Sequence, residues 1–95
     1  MNVIFSPESE NDLEAIADYI AEDNPAKALN FVQELKEHCE NLSNFPHRNP
    51  VYGEIDDVTV RKYSYKNYII YYGVGDDILY IFHIWHAARR QPDFS

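Results

Sequence analysis

Sixteen acids against eight Lys and Arg in 95 residues, with eight Tyr, five Phe and a single Trp, describe one small domain with a modest core. A formal charge of −8 argues against direct nucleic-acid binding, because that affinity comes mainly from neutralising phosphates. No apolar run approaches the ~18 residues of a membrane span, the Met1–Pro7 run is too short for a signal peptide, and Cys39 alone makes no internal disulfide; a cytoplasmic protein in a reducing compartment, with no membrane contact, is expected.

In chain order, Asn2-Val3-Ile4-Phe5 is a short β-type run stopped by Ser6-Pro7-Glu8. Ser is a good N-cap, Pro suits the first helical position, and an acid in the first turn suits the helix dipole. The helix that follows runs to about Glu22, with Leu13, Ile16, Ala17 and Ile20 at i, i+3, i+4 and i+7. Asp23-Asn24-Pro25 ends it and starts a second helix, whose stripe is Ala28, Phe31, Val32, Leu35, Cys39 and Leu42. So short a link folds the two back as an αα-hairpin. Its first 40 residues hold ten acids against only Lys27 and Lys36, while residues 41–95 balance six acids with six bases. All excess negative charge therefore sits on the hairpin.

Phe45-Pro46 ends the second helix, and His47 to Gly53 reads as a loop. Three β-runs follow, roughly Ile55–Tyr63, Tyr68–Val74 and Ile78–His86. A four-residue turn, Ser64-Tyr65-Lys66-Asn67, joins the first two, and Gly75-Asp76-Asp77 joins the last two with Gly expected to supply positive φ. Short joints make an antiparallel meander. In the middle strand Tyr68, Ile70, Tyr72 and Val74 share one face, Ile69 and Tyr71 the other. The last strand is apolar on both faces, so one face needs a cover. The expected architecture is a single α+β domain over 1–95, an N-terminal strand and αα-hairpin packed with a three-stranded antiparallel meander.

Candidate sites are few. His83 and His86 lie three apart on a strand and so on opposite faces, unless a bulge intervenes; no metal site and no cofactor is expected. Cys39 belongs to an apolar stripe and reads as a buried structural thiol. Asp56-Asp57 and Asp76-Asp77 are ordinary turn acids. No P-loop, dinucleotide loop or nucleophile elbow is present. The constellation with chemistry is basic: Arg61, Lys62 and Lys66 on and after the first meander strand, with His86, Arg89 and Arg90 at the end of the last. These converge if the strand ends meet, and they then bind an anionic partner, stabilise a phosphoryl transition state, or form a solvated charged surface.

Taken together, Phe5-Ser6-Pro7, Asp12-Leu13, Ile16, Tyr19-Ile20, Asn24-Pro25, Ala28, Phe31, Leu35, Leu42, Pro46, Val60-Arg61, Tyr68-Ile69-Ile70-Tyr71-Tyr72, Ile78, Ile81 and His86-Ala87-Ala88-Arg89 resemble the RelE/ParE superfamily of bacterial toxins, and its ParE branch most. The resemblance covers nearly the whole chain. It implies the toxin of a type II toxin–antitoxin system, linked to growth arrest and plasmid stabilisation. A cognate ParD-like antitoxin would hold it in a hetero-oligomer and alone would bring it to operator DNA.

ParE-like toxins are implied to poison DNA gyrase, RelE-like ones to cleave messenger RNA on the ribosome. The charge of −8 and a last aromatic, Phe94, without a hydroxyl favour the gyrase poison over the ribonuclease. A third reading is a non-toxic remnant that only binds antitoxin. Expected target contacts are Arg61, His86, Arg89 and Arg90; expected antitoxin contacts are Tyr19, Ile20, Phe31, Tyr72 and Trp85. No catalytic residue is assigned.

Overall fold

A computed structural model describes residues 1–92; Phe94 lies outside the described residues. The chain runs β1 (Asn2–Phe5), α1 (Pro7–Ala21), α2 (Pro25–Asn41), a 3-10 turn (Leu42–Asn44), then β2 (Val51–Ile55), β3 (Val58–Tyr65), β4 (Tyr68–Gly75) and β5 (Ile78–His86). The strands form one sheet in the order β1-β5-β4-β3-β2, with β1 parallel to β5 and every other neighbour antiparallel.

The helices start as their caps dictate. Ser6 Oγ accepts from the Ser9 N–H at 2.9 Å and Asn24 Oδ1 from the Lys27 N–H at 3.1 Å, each followed by Pro in the first turn. The hairpin lays Leu13, Ile16, Leu35, Cys39 and Leu42 on the sheet face that carries Ile70, Tyr72, Leu79 and Ile81. Leu35, Cys39, Ile70 and Tyr72 are fully buried. Apolar side chains removed from water on this scale supply the main stabilisation, about 1.5–3 kcal/mol for each large one.

Three joints differ from the sequence expectation. The segment expected as a loop to Gly53 contains β2, and the expected strand from Ile55 is split by a turn at Asp56-Asp57. Both Asp residues have positive φ, 46° and 67°, which is the two-residue hairpin geometry that matches strand twist. Asp tolerates it because its short side chain bonds locally. The meander therefore has four strands. The next turn is tighter than expected, with strand continuing through Tyr65 and Lys66 at φ 52°. In the last turn Asp77, at φ 56°, adopts the left-handed conformation and Gly75 does not.

The second face of the sheet is partly covered by the chain itself. Val60, Ile69 and Tyr71 are buried there beside Tyr52, Phe82 and Trp85. Residues 87–92 turn back across them: the Trp85 indole donates to the Arg90 carbonyl at 3.0 Å, the Tyr71 hydroxyl to Gln91 at 3.0 Å, and the Tyr52 hydroxyl to the Pro92 carbonyl. The face expected to await a partner is thus strapped by the tail.

Candidate functional site

The site grows from an irregularity in β5. Tyr71 pairs with His83 but Tyr72 pairs with Ile81, so Phe82 is an extra residue, a bulge. Leu79 and Ile81 face the helices before it; after it Ile84 does. The bulge precedes His83, so it does not bring His83 and His86 to one face, and among the described residues no His, Cys, Asp and Glu group is placed to hold a metal.

β1 stops at Phe5, opposite Ile81, and leaves the rest of β5 paired with β4 on one side and without a strand neighbour on the other. Helix α1 and its cap fill that place. Ser6 donates its N–H to the Ile81 carbonyl at 3.0 Å and its Oγ–H to the Phe82 carbonyl at 2.7 Å. Asp12 Oδ2 accepts from the Ile84 N–H at 2.9 Å and lies 3.0 Å from His83 Nδ1.

Next to this patched edge lies a trough made of two adjoining depressions. One, of about 670 Å³, runs from the first turn of α2 past Ile20, Phe31 and the Lys66-Asn67 turn to His86. The other, of about 380 Å³, continues from His86 along Ile16 and Ile84 to Arg89. Tyr19, Tyr68 and His86 line both.

The His86 ring meets Tyr68 edge-on, with centroids 5.2 Å apart. Its Nδ1 accepts from the Ala88 N–H at 3.1 Å, which places the proton of the neutral ring on Nε2. Arg89 stacks its guanidinium on Trp85, 4.0 Å from the ring centroid. Lys66 sits 3.2 Å from Glu34 and 5.5 Å over the Phe31 ring. The Tyr65 hydroxyl also donates to Glu34, at 2.8 Å; that bond, and then the one from Lys66, hold the Glu34 carboxyl below its usual range. In return the Glu34 bond raises both Tyr65 and Lys66.

The expected site residues thus redistribute. His86 and Arg89 share the trough with Tyr19, Ile20 and Phe31, so the two expected contact sets overlap. Arg90 lies instead in the tail strap, and Trp85 belongs to the cluster under that strap. Tyr72 is a correction: it is fully buried, its hydroxyl donating to the Pro46 carbonyl at 2.7 Å and accepting from Asn49 at 3.1 Å, and so has no surface for a partner.

The expected meeting of residues 61–66 with 86–90 happens only at the Lys66 end. Arg61 pairs with Tyr72, four residues along β4 from Tyr68, and lies two strands from His86. Strand geometry then puts their backbones about 16 Å apart. Its guanidinium is bound to the Asn49 and His47 carbonyls at 2.7 and 3.1 Å.

Two residues escape sequence reasoning. Lys27, a cation in an acidic hairpin, becomes a trough residue only through the hairpin's turn, and Asp12 looks like any acid on a solvated helix face.

Comparison with known proteins gives a consistent picture. The family model for the ParE toxin of type II toxin-antitoxin system, parDE, matches residues 3–91. Toxin RelE2 of Caulobacter vibrioides is 35% identical over 79 residues, 82% of this chain and 85% of its own length. A structure described as the chromosomal ParDE TA system from P. aeruginosa superposes with a TM-score of 0.74 over 90% of this chain and 95% of that one, and at 22% identity the likeness speaks for the fold alone.

Proposed function

Because the chain belongs to the ParE toxin family of type II toxin–antitoxin systems, we propose that it arrests growth by binding DNA gyrase, and that a cognate ParD-like antitoxin neutralises it. It acts in the cytoplasm, within a hetero-oligomer with that antitoxin, and reaches operator DNA only through it. The observation that carries the reading is the separation of the cations. Arg61 is committed to loop carbonyls, and Arg89 and Lys66 sit at a different end of the sheet. Hydrolysis or transfer at an RNA phosphate needs cations and an acid–base pair around one atom. Three of the tyrosine hydroxyls are held protonated well above neutral pH: burial raises Tyr68 and Tyr72, and pushes Tyr71 up to about 12. A binding surface made of aromatic rings and one charged edge supports protein contact instead.

One observation favours the ribonuclease as a second reading: the His86 imidazole presents an Nε2–H beside Lys66 and Arg89. Purified protein added to gyrase, scored for supercoiling and trapped DNA breaks, is expected to inhibit; primer extension on translated message in parallel is expected to show no new ends. Message cut at codon positions with gyrase untouched would replace the first reading by the second. Antitoxin binding without growth arrest on expression would reduce the chain to a binding remnant.

A further inference from the structure

The hydrogen bonds of the tail reach Trp85, Tyr71 and Tyr52, at one end of the second sheet face. Beyond them that face is apolar and open. Ile4 pairs with Tyr80, Tyr80 with Gly73 and Ile78 with Gly75, while Val3, Leu79, Ile81 and Val74 between them pack under the hairpin. Alternation therefore turns Ile4, Ile78 and Tyr80 away from the helices. Val58 joins them, since its Cγ1 lies over Gly73. Ile4 is 41% exposed, and Val58 and Ile78 are each 38% exposed, an unusual concentration of bare apolar side chains on a small sheet. β4 contributes no side chain at Gly73 or Gly75. Val58 and Phe82 crowd the space over Gly73, but a Cβ at Gly75 would meet nothing within 4 Å, which leaves a hollow in the patch.

Two turns close this end of the sheet, Asp56-Asp57 between β2 and β3 and Asp76-Asp77 between β4 and β5. Val60 lies opposite Gly73 in the antiparallel β3–β4 pair, which sets both turns side by side. All four Asp are exposed, and the ion pair found there among the described residues is a long one, 3.7 Å from the Met1 amino group to Asp77. Lys62, on the same face, is four residues up β3, about 13 Å away, and lies over the Tyr52 ring. Turn geometry does not require these charges. Asn or Gly takes positive φ at least as well, and carboxylates on adjacent turns repel one another.

We propose that this patch docks a segment of a partner protein that carries lysine or arginine beside bulky apolar side chains. The apolar side chains would cover Ile4, Val58, Ile78 and Tyr80 and enter the hollow over Gly75. The cations would reach the paired Asp of the two turns, where excluding water strengthens charge-assisted bonds. A second copy of this chain is the poorer fit, because its charge of −8 and its own four acids would repel. Nucleic acid and an anionic membrane surface carry the same wrong sign. On the toxin reading the partner is the target, and the inference rests on that reading for the partner's identity alone. The antitoxin contacts expected at Tyr19, Ile20 and Phe31 lie at the other end of the sheet. Along β4, Tyr68 opposite His86 is seven residues from Gly75 opposite Ile78, about 23 Å. The two surfaces can therefore be occupied at once.

The test uses the full chain and two synthetic peptides of equal length, one alternating lysine with leucine and phenylalanine, the other with glutamate replacing each lysine. The lysine peptide is expected to bind, to lose affinity as salt rises, and to shift the amide resonances of residues 2–4, 56–58 and 75–80. A triple variant, Asp56→Asn with Asp57→Asn and Asp76→Asn, keeps the turns, because Asn accepts positive φ, and leaves the Asp77 contact with Met1 in place. It is expected to bind the lysine peptide about tenfold more weakly and to arrest growth less, with a melting curve no lower than the parent's. Ile78→Thr, a strand-compatible change at an exposed position, is expected to weaken binding as well. Equal or tighter binding of the glutamate peptide, shifts centred on the acidic helices or on residues 86–89, a triple variant that binds as tightly as the parent, or no binding of either peptide overturns the proposal. Growth arrest separates the two ideas. A parent and a triple variant that arrest equally keep the toxin reading and take the target away from this patch, whereas a chain that binds the lysine peptide here and never arrests keeps the patch and loses the toxin reading.

Discussion

Asp12 takes the backbone N–H of Ile84 at 2.9 Å from 72 positions away in the chain. With one oxygen it closes the part of β5 that β1 leaves unpaired, and fixes where α1 crosses the sheet edge. Asp12→Ala is expected to lower stability by about 1–3 kcal/mol, the cost of stranding a half-buried donor, with Asp12→Asn losing less because its carbonyl oxygen still accepts. Urea unfolding measures both. A loss no greater than that of an exposed control, Glu14→Ala, would make the contact incidental.

Gly73 lies on the strapped face of the sheet, where a Cβ would stand 2.8 Å from Val58 Cγ1 and 2.9 Å from Phe82 Cε2. Gly73→Ala is therefore expected to cost about 1–3 kcal/mol through overpacking, despite the better strand propensity of Ala. Adding Phe82→Leu should recover part of the loss in a thermal melt, since that ring supplies one of the two clashes.

Arg61 and Arg89 are expected to fail in different ways. Arg61→Ala removes two bonds to the loop that leads into β2 and should lower stability by about 1–3 kcal/mol, visible as a lower urea midpoint. Arg89→Ala leaves an exposed tail position and should leave the melt unchanged, while growth arrest is lost and antitoxin binding, expected at Tyr19, Ile20 and Phe31 as well, falls only in part. Full toxicity of Arg89→Ala would remove the β5 end from the working surface.

Burial pushes the Cys39 thiol from its ordinary 9.0 up to about 12. The folded chain holds the proton where the unfolded chain releases it, so its contribution is complete below about pH 9 and is lost as pH rises towards 12. Stability should fall by about 1.4 kcal/mol per pH unit across that window from this group alone. In Cys39→Ala the alkaline slope of the unfolding free energy should be shallower by that amount; parallel slopes would show that the thiol does not set it. Alkylation of native protein at neutral pH should proceed only as fast as the chain opens.

Much of this molecule could be read from its residues, for identifiable reasons. The hairpin follows from two capped helices with apolar stripes, and the two faces of β4 follow from strict alternation, Ile70 and Tyr72 to one core and Ile69 and Tyr71 to the other. What could not be read depends on backbone shape. β2 holds Gly53 and lies just after Pro50, which disguises a strand, and Asp56-Asp57 turns with positive φ where Gly or Asn is the usual signal. The trough is a tertiary product: Lys27, Lys66 and Arg89 are far apart in sequence and meet only because the hairpin's turn packs at the end of β4 and β5.

The single extra residue at Phe82 has an evolutionary reading. It reverses the inside–outside alternation for everything after it, so Ile84 and His86 face the helices where an unbulged strand would present His83 and Trp85. A relative of equal length without the bulge would carry this edge in the opposite phase, and one shorter by that residue would keep it in the same phase. Aligning such a relative without a gap at Phe82 would place its core residues over this chain's surface ones. The alignment column that decides which side chains face the helices is thus the one holding the bulge, more than the columns holding His86 and Arg89 that follow it.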